Sequence, residues 1–249
     1  MIAFADLTAQ LYALPTRAPD QAFIRRYLGT PRMVLGVRTD DLRKLAKDTA
    51  QQHKDAPDAY WLALLDQLYD GDLFEQRALA GILLGALHPL RRRLELARLR
   101  AWLDGQVGWA EVDITCQSGW TDAELLARWL EWDAFLADLS ESPNVSLRRA
   151  SLVLLVSPLR GSADPRLTQR ALANVQRRQH ERDRMITKAV SWVLRSMIAT
   201  QPETVRAYLE AHTGALQSTV VREVRTKLET GRKSGKAATP AQKGAHPTP

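Results

Sequence analysis

Apolar residues recur along the chain at three- and four-residue spacing, which predicts a succession of helices separated by short breaks. Leu79, Ile82, Leu83 and Ala86 form one such stripe, and no alternating pattern is long enough to indicate a useful strand. The predicted helices cover residues 4–14, 19–28, 39–53, 57–69, 73–87, 91–104, 109–119, 122–138, 145–157, 165–180, 183–199, 202–212 and 218–229.

Residues at several predicted helix starts support these boundaries. Thr121 and Glu124 have the spacing of a capping box, and Asn144 is a good cap for the segment that follows it. Pro165 and Pro202 occupy first helical positions, where the missing N–H costs nothing.

Many of the predicted helices form consecutive pairs of 30–45 residues, which is typical of a HEAT-type solenoid. The pattern therefore predicts an all-α helical-repeat solenoid, with a compact irregular helical domain as the alternative. We expect one folded domain over residues 1–230. From residue 231 to 249 the chain is polar and basic, with too few apolar residues for a core, which predicts a disordered tail.

The composition fits a soluble intracellular protein. Of the 249 residues, 45% are hydrophobic and 25% are charged. Cys116 is the single cysteine, which excludes an internal disulfide and a cysteine-rich metal site. No apolar run reaches the ~20 residues that a membrane span needs, and the N-terminus lacks the basic segment of a signal peptide. We expect an intracellular location.

Charge is unevenly distributed along the chain, whose formal net charge is +7. Residues 101–142 hold nine acidic residues and one basic residue, whereas residues 143–195 hold eleven basic and three acidic residues. The tail adds four basic residues and no acidic one, so we expect it to add non-specific DNA affinity. A polyanion such as nucleic acid is a natural partner for the basic stretch, although basic helix faces without a ligand are also common.

Trp109 and Asp113, in the segment GWAEVDITCQSGW (108–120), are four residues apart and therefore share one helix face. A carboxylate on a largely apolar helix must be paired or desolvated, which is costly without a purpose. Spacing alone leaves two interpretations open: Asp113 is a functional carboxylate, or it forms a structural ion pair with an arginine of the basic stretch. The remaining tryptophans, Trp61, Trp102, Trp120, Trp129 and Trp132, are predicted to pack.

Two further clusters lie in the basic stretch. Arg148 and Arg149 point about 100° apart on a helix, so at least one faces solvent or a groove. Lys188, Trp192 and Arg195 share a face that suits a phosphate backbone with an aromatic contact, or simply a solvated helix with one packed tryptophan.

Other chemistries lack support in the sequence. The five histidines are scattered, and there is no phosphate loop and no Gly-rich nucleotide fingerprint. We expect no metal and no organic cofactor.

Four motifs occur together and in order: RYLGTPRMVLGVRTDDLRKLAK (26–47), GWAEVD (108–113), NVSLRRASL (144–152) and KAVSWVLR (188–195). On these motifs the chain resembles the bacterial HEAT-like-repeat DNA alkylation-repair glycosylases, the AlkD-like family, from about Tyr27 to Lys227.

The resemblance implies a C-shaped stack of helical pairs with a basic concave face that holds duplex DNA. A cytoplasmic protein that is associated with the nucleoid when bound to DNA is therefore expected. It also implies hydrolysis of the N-glycosidic bond of cationic N3-methyladenine and N7-methylguanine without base flipping. It assigns the catalytic carboxylate to Asp113 and the lesion-contacting aromatics to Trp109 and Trp192. DNA-backbone contacts are expected from the remaining candidates, which are Tyr27, Arg148, Arg149, Lys188 and Arg195. Arg149 is also expected to keep Asp113 ionised.

One departure and two rival functions remain at this stage. Some relatives carry a second aromatic residue directly before the motif tryptophan, whereas this chain has Gly108, which implies a thinner lesion contact. The rivals are a catalytically silent helical-repeat DNA-binding protein and a scaffold for protein partners. A monomer is expected in each case.

Overall fold

The computed structural model describes residues 1–232 as an all-helical chain, with isolated β-bridges in place of strands. The sixteen helices of this part of the chain are, in order, α1 Phe4–Tyr12, α2 Gln21–Leu28, α3 Thr39–Gln52, α4 Asp58–Asp70, α5 Phe74–Ala86, α6 His88–Arg93, α7 Leu96–Asp104, α8 Gly108–Cys116, α9 Asp122–Ala127, α10 Trp129–Glu141, α11 Val145–Val153, α12 Val156–Gly161, α13 Pro165–Arg178, α14 Arg184–Met197, α15 Pro202–His212 and α16 Ser218–Thr230.

The helices form two rows. In the first row α5, α8, α11, α14 and α16 pack in series, each against the next. Helices α4, α10, α13 and α15 each pack against a member of the first row, and together with α7 they form the second row. One hydrophobic cluster runs between the rows from Leu7 to Val224. The all-α helical-repeat prediction is therefore confirmed.

Ion pairs connect neighbouring helices of the second row. Arg98 of α7 pairs with α4, Arg100 pairs with Asp138 of α10, and Arg170 of α13 pairs with Asp133 of α10. Most of these side chains are more than a third exposed, so each pair contributes no more than about 1 kcal/mol.

Three predicted helices are each broken in two. The segment predicted as 145–157 divides between α11 and α12, because Pro158 has no N–H for the carbonyl of Leu154 and its ring crowds the preceding turn. The segments predicted as 91–104 and 122–138 break at Leu94 and Arg128. The Arg128 guanidinium joins these two breaks, since it donates 2.9 Å to the carbonyl of Leu94 and 3.1 Å to that of Arg92.

The predicted packing of the tryptophans is confirmed. Trp61, Trp102, Trp120 and Trp132 are buried, and Trp129 packs against the core while remaining partly exposed. None of the helices described between residues 1 and 232 is long and apolar enough to cross a membrane. Most of the predicted tail, residues 233–249, lies outside the described residues.

Candidate functional site

Helix α8 presents Trp109 and Asp113 on its partly exposed face. The residues between and after them are largely buried against α5 and α11, so these two side chains occupy the side of the helix that reaches solvent. Asp113 lies one turn beyond Trp109, and its side chain is 13% exposed. Trp109 and Asp113 therefore share one helix face, as predicted, and they are two of the three α8 residues that are not buried.

The Asp113 carboxylate is held by both arms of the Arg149 guanidinium. Nε donates to Oδ1 and Nη2 donates to Oδ2, each at 2.8 Å, and Nη1 donates to the carbonyl of Met185 on α14. Asp113, Arg149 and Met185 are separated by 36 residues each, so they occupy equivalent positions on α8, α11 and α14. The planar fork fixes the carboxylate in one orientation, as expected of a bidentate arginine pair.

This arrangement has opposing effects on the protonation of Asp113. Burial raises the pKa of the Asp113 carboxyl above its ordinary value, while the hydrogen bonds and positive charge of Arg149 act in the opposite direction. Without Arg149 the carboxyl would be desolvated with no compensating cation, which favours the neutral form. Arg149 therefore favours the ionised form of a carboxylate that has been withdrawn from water.

The aromatic side of the site joins α2 to α8. The Trp109 indole Nε1 donates 2.7 Å to the carbonyl of Tyr27, and the Tyr27 ring meets Trp109 edge-on, with centroids 5.7 Å apart. Phe23 lies parallel to Tyr27 at 6.3 Å, and both rings are about 60% exposed. An accessible row of aromatic rings therefore leads up to the turn that carries Asp113.

Trp192 lies farther along the first row. It follows Met185 by seven residues, which places it about 10 Å along the axis of α14. The guanidinium of Arg160, at the end of α12, stands 6.0 Å from the Trp192 ring centroid. Trp192 is thus paired with a cation of α12, whereas Trp109 is the tryptophan one turn from Asp113.

The predicted backbone-binding arginines and lysine are already engaged by carboxylates. Arg148 donates 2.7 Å to Glu181 and also to the carbonyls of Ser142 and Pro143. Lys188 donates 3.1 Å to Glu223 of α16, and Arg195 reaches the same carboxylate through the hydroxyl of Ser191. Since the Arg149 side chain is only 4% exposed, its guanidinium contacts Asp113 rather than solvent.

These pairs change the meaning of the charge pattern. Eight of the eleven basic residues between 143 and 195 lie within 4.0 Å of a carboxylate. Arg160, Arg182 and Arg184 are exposed and have no such partner within residues 1–232. Much of the positive charge in the basic stretch is therefore neutralised within the fold, and these three arginines are accessible cations that the motifs did not single out.

Gly108 has a conformational role that its sequence context did not reveal. Its φ is +84°, and a Cβ there would lie 2.5 Å from the carbonyl carbon of Gly29 and 2.7 Å from the oxygen of Leu28. Gly29 itself has a φ of +74°. The end of α2 and the start of α8 thus meet backbone to backbone, and this contact leaves no room for a side chain at position 108.

We expect Gly108→Ala to lower the free energy of unfolding by roughly 1–3 kcal/mol, since a left-handed backbone costs a non-glycine residue about 1–2 kcal/mol and the facing backbone adds a clash. Urea unfolding measures the change. Gly214→Ala is the matched control, because nothing lies within 4 Å of a Cβ at that position. Equal stabilities of the two variants would show that the Gly29–Gly108 contact is not tight.

A buried network behind Trp109 was also missed by the sequence analysis. Glu111 accepts hydrogen bonds from Thr30, Arg32 and the backbone N–H of Val107. Thr30 and Arg32 are about 80 residues away along the chain, so local spacing carries no signal for these two bonds. Metal binding has no comparable support, because no group of three or more His, Cys, Asp or Glu residues within 1–232 is placed to hold an ion.

Comparison with known proteins places this geometry in a family. A structure described as a predicted DNA alkylation repair enzyme from Enterococcus faecalis superposes with a TM-score of 0.68 at 16% identity, over 86% of this chain and 96% of that chain. The crystal structure of AlkD2 from Streptococcus mutans gives 0.55 at 17% identity, over 83% and 94%. Comparison with curated proteins gives no match. Residues 8–228 match the family model described as DNA alkylation repair enzyme, and the chain therefore belongs to the DNA alkylation repair enzyme family.

Proposed function

We propose that this member of the family is a monofunctional DNA glycosylase that releases cationic N3-methyladenine and N7-methylguanine from duplex DNA. One observation carries the proposal: a carboxylate, Asp113, stands partly exposed beside Trp109 while an arginine fork holds it in one orientation. A purely structural ion pair needs neither the exposure nor the adjacent tryptophan.

The carboxylate supplies electrostatic stabilisation. Loss of a cationic purine leaves an oxocarbenium-like sugar, and an ionised Asp113 near that sugar stabilises the developing positive charge. A carboxylate has about four acceptor positions, of which Arg149 occupies one on each oxygen, so acceptor capacity remains for the sugar or the attacking water. The base is already activated by its own charge, and no general acid is needed.

Trp109 supports the same step. The face of an indole attracts a cationic ring or sugar by about 0.5–2 kcal/mol. Its Nε1 bond to the Tyr27 carbonyl limits rotation of the ring, so the contact is oriented before the DNA arrives. Trp192, with Arg160 beside it, supplies a second aromatic contact farther along the first row.

Arg149 acts on Asp113 in this proposal, and the phosphate contacts come from other residues. Tyr27, Lys188 and Arg195 remain proposed backbone contacts, as does Arg148 once a phosphate replaces Glu181. An Asp113 carboxylate at the surface of α8 suits a sugar that stays at the edge of the duplex. We therefore propose excision without base flipping, in a chain that acts as a monomer.

Incubation with a duplex that carries N7-methylguanine at one position tests the proposal. We expect the wild-type protein to release the base faster than it is lost spontaneously, in a single-turnover assay with a duplex-only reaction as the baseline. Release no faster than that baseline would overturn the glycosylase function. Salt-dependent duplex binding would then indicate a silent DNA-binding protein, and binding unaffected by salt would count against DNA as the ligand.

A further inference from the structure

Glu111 is a buried carboxylate on the side of α8 away from Asp113. Its side chain has 0% exposure. It accepts 2.6 Å from the Thr30 hydroxyl, 3.0 and 3.1 Å from Nη1 of Arg32, and 3.0 Å from the backbone N–H of Val107. A buried charge of this kind is tolerated because every bond is made, and such networks hold a specific geometry more than they add stability.

The network joins two loops that the rest of the fold leaves weakly connected. Thr30 and Arg32 follow α2, while Val107 precedes α8. Helix α2 has no buried residue, so no hydrophobic anchor fixes it to the body. Its other connections are the Gly29 backbone contact with α8, the Trp109 bond to the Tyr27 carbonyl, and a pair of hydrogen bonds between Gln21 and Val34. A segment held by so few contacts has low local stability.

We propose that Glu111 is a positioning residue that acts through Trp109: by tying the loop after α2 to the loop before α8, it sets the relative placement of Tyr27 and Trp109 for the excision step. The inference rests on the proposed glycosylase function. Glu111 touches neither the DNA nor the reacting atoms. It lies two residues before Asp113, but its bonds point to the aromatic side of the site.

Glu111→Gln tests this role because it keeps the size of the side chain and removes its charge. The amide has one oxygen for the Thr30, Arg32 and Val107 donors, so the network cannot be completed. We expect a roughly 10- to 100-fold slower single-turnover excision, since small misplacements of aligned groups cost about that much. Duplex affinity should change little.

Glu124→Gln is the matched control. Glu124 is also a buried carboxylate, held at 2.7 Å by the buried Arg91, but it caps α9 and does not contact α2. We expect its excision rate to stay within about twofold of the wild type at temperatures where both variants are folded. An equal loss of excision rate in both variants would show that Glu111→Gln acts only by lowering the overall stability of the protein, and would overturn the proposal.

A double-mutant cycle with Trp109→Ala identifies the route. If Glu111 acts through Trp109, Glu111→Gln costs little further rate once the indole is gone. If the two substitutions lower the excision rate by independent factors, the proposal is overturned. The wild type is still active in that case, so the proposed function stands. A wild type without base release overturns the proposed function instead.

Amide hydrogen exchange gives a readout that does not depend on activity. Glu111→Gln should accelerate exchange in residues 21–30 and at the start of α8, and Glu124→Gln should not. Unchanged protection of α2 in the Glu111 variant would mean that Glu111 does not hold this helix, and would overturn the proposal regardless of the kinetics.

Discussion

Replacing Asp113 with asparagine is expected to lower base release by about 100-fold or more, which is the usual cost of removing an electrostatic contact to developing charge. The amide keeps the shape of the carboxylate but carries no charge, so the oxocarbenium-like sugar loses its counter-ion. Duplex affinity should remain within a few-fold of the wild type, since Asp113 repels phosphate rather than binding it. Single-turnover excision of N7-methylguanine and a duplex titration at the same salt concentration measure the two effects.

The ion pair with Arg149 makes a control necessary, because Asp113→Asn also leaves a buried guanidinium without its anion. Asp133→Asn breaks a pair with the same two-armed geometry, in which Nε and Nη2 of Arg170 donate 2.7 and 2.8 Å to the carboxylate. That pair lies in the second row, away from α8. We expect the Asp133 variant to retain excision. If the Asp113 variant loses duplex binding together with excision, Asp113 is structural and the alternative interpretation of the sequence is correct.

The sequence predicted the local half of this site and left its long-range half open. Trp109 and Asp113 are joined by helical spacing, which is a property of adjacent residues. The partner of Asp113 lies 36 residues away, so helical spacing could not identify it. The family resemblance singled out Arg149, and the packing of α8 against α11 brings the two side chains together. The bonds that Glu111 accepts from Thr30 and Arg32, which are 81 and 79 residues away, were beyond any pattern of this kind.

Some of the predicted helix boundaries were wrong for a related reason. Periodicity located most helices, but it continued through the breaks at Leu94 and Arg128, since apolar residues keep their spacing across them. The carbonyls freed at the first break are satisfied by the Arg128 side chain, which is a tertiary contact. The break before Pro158 was readable from the sequence, because a proline inside a helix removes one backbone hydrogen bond.

The distribution of charge along the sequence was the poorest guide to the charge of the folded surface. The acidic stretch 101–142 and the basic stretch 143–195 suggested a surface for a polyanion, yet successive repeats bring many of these charges together as ion pairs. A DNA phosphate that contacts Arg148 or Lys188 must therefore compete with Glu181 or Glu223. Duplex binding by this face exchanges one anion for another, and its free energy is smaller than the count of arginines suggests.

Arg149 favours the ionised form of Asp113. Replacing Arg149 is therefore expected to have the second large effect, a change in the pH dependence of excision. Wild-type excision should fall as the pH falls through the raised pKa of Asp113, above the value of about 3.9 for an ordinary aspartate. Arg149→Gln removes the contribution that lowers this pKa, so the carboxyl becomes protonated at a still higher pH. We expect the fall of excision on the acidic side of the profile to begin at a higher pH in this variant than in the wild type, and excision to recover as the pH rises.

Arg148→Gln is the control for this variant, because it removes an adjacent arginine that is paired with Glu181 and not with Asp113. It should weaken duplex binding without moving the pH profile. Acid unfolding would not produce the same pH dependence. A carboxyl group whose pKa is higher in the folded than in the unfolded state destabilises the fold as the pH rises, not as it falls. Protonation of Asp113 in acid therefore does not unfold the protein. If Arg149→Gln instead weakens duplex binding with a shallower salt dependence and an unchanged pH profile, Arg149 is a phosphate ligand. Asp113 would then have to be held ionised by something other than the arginine fork.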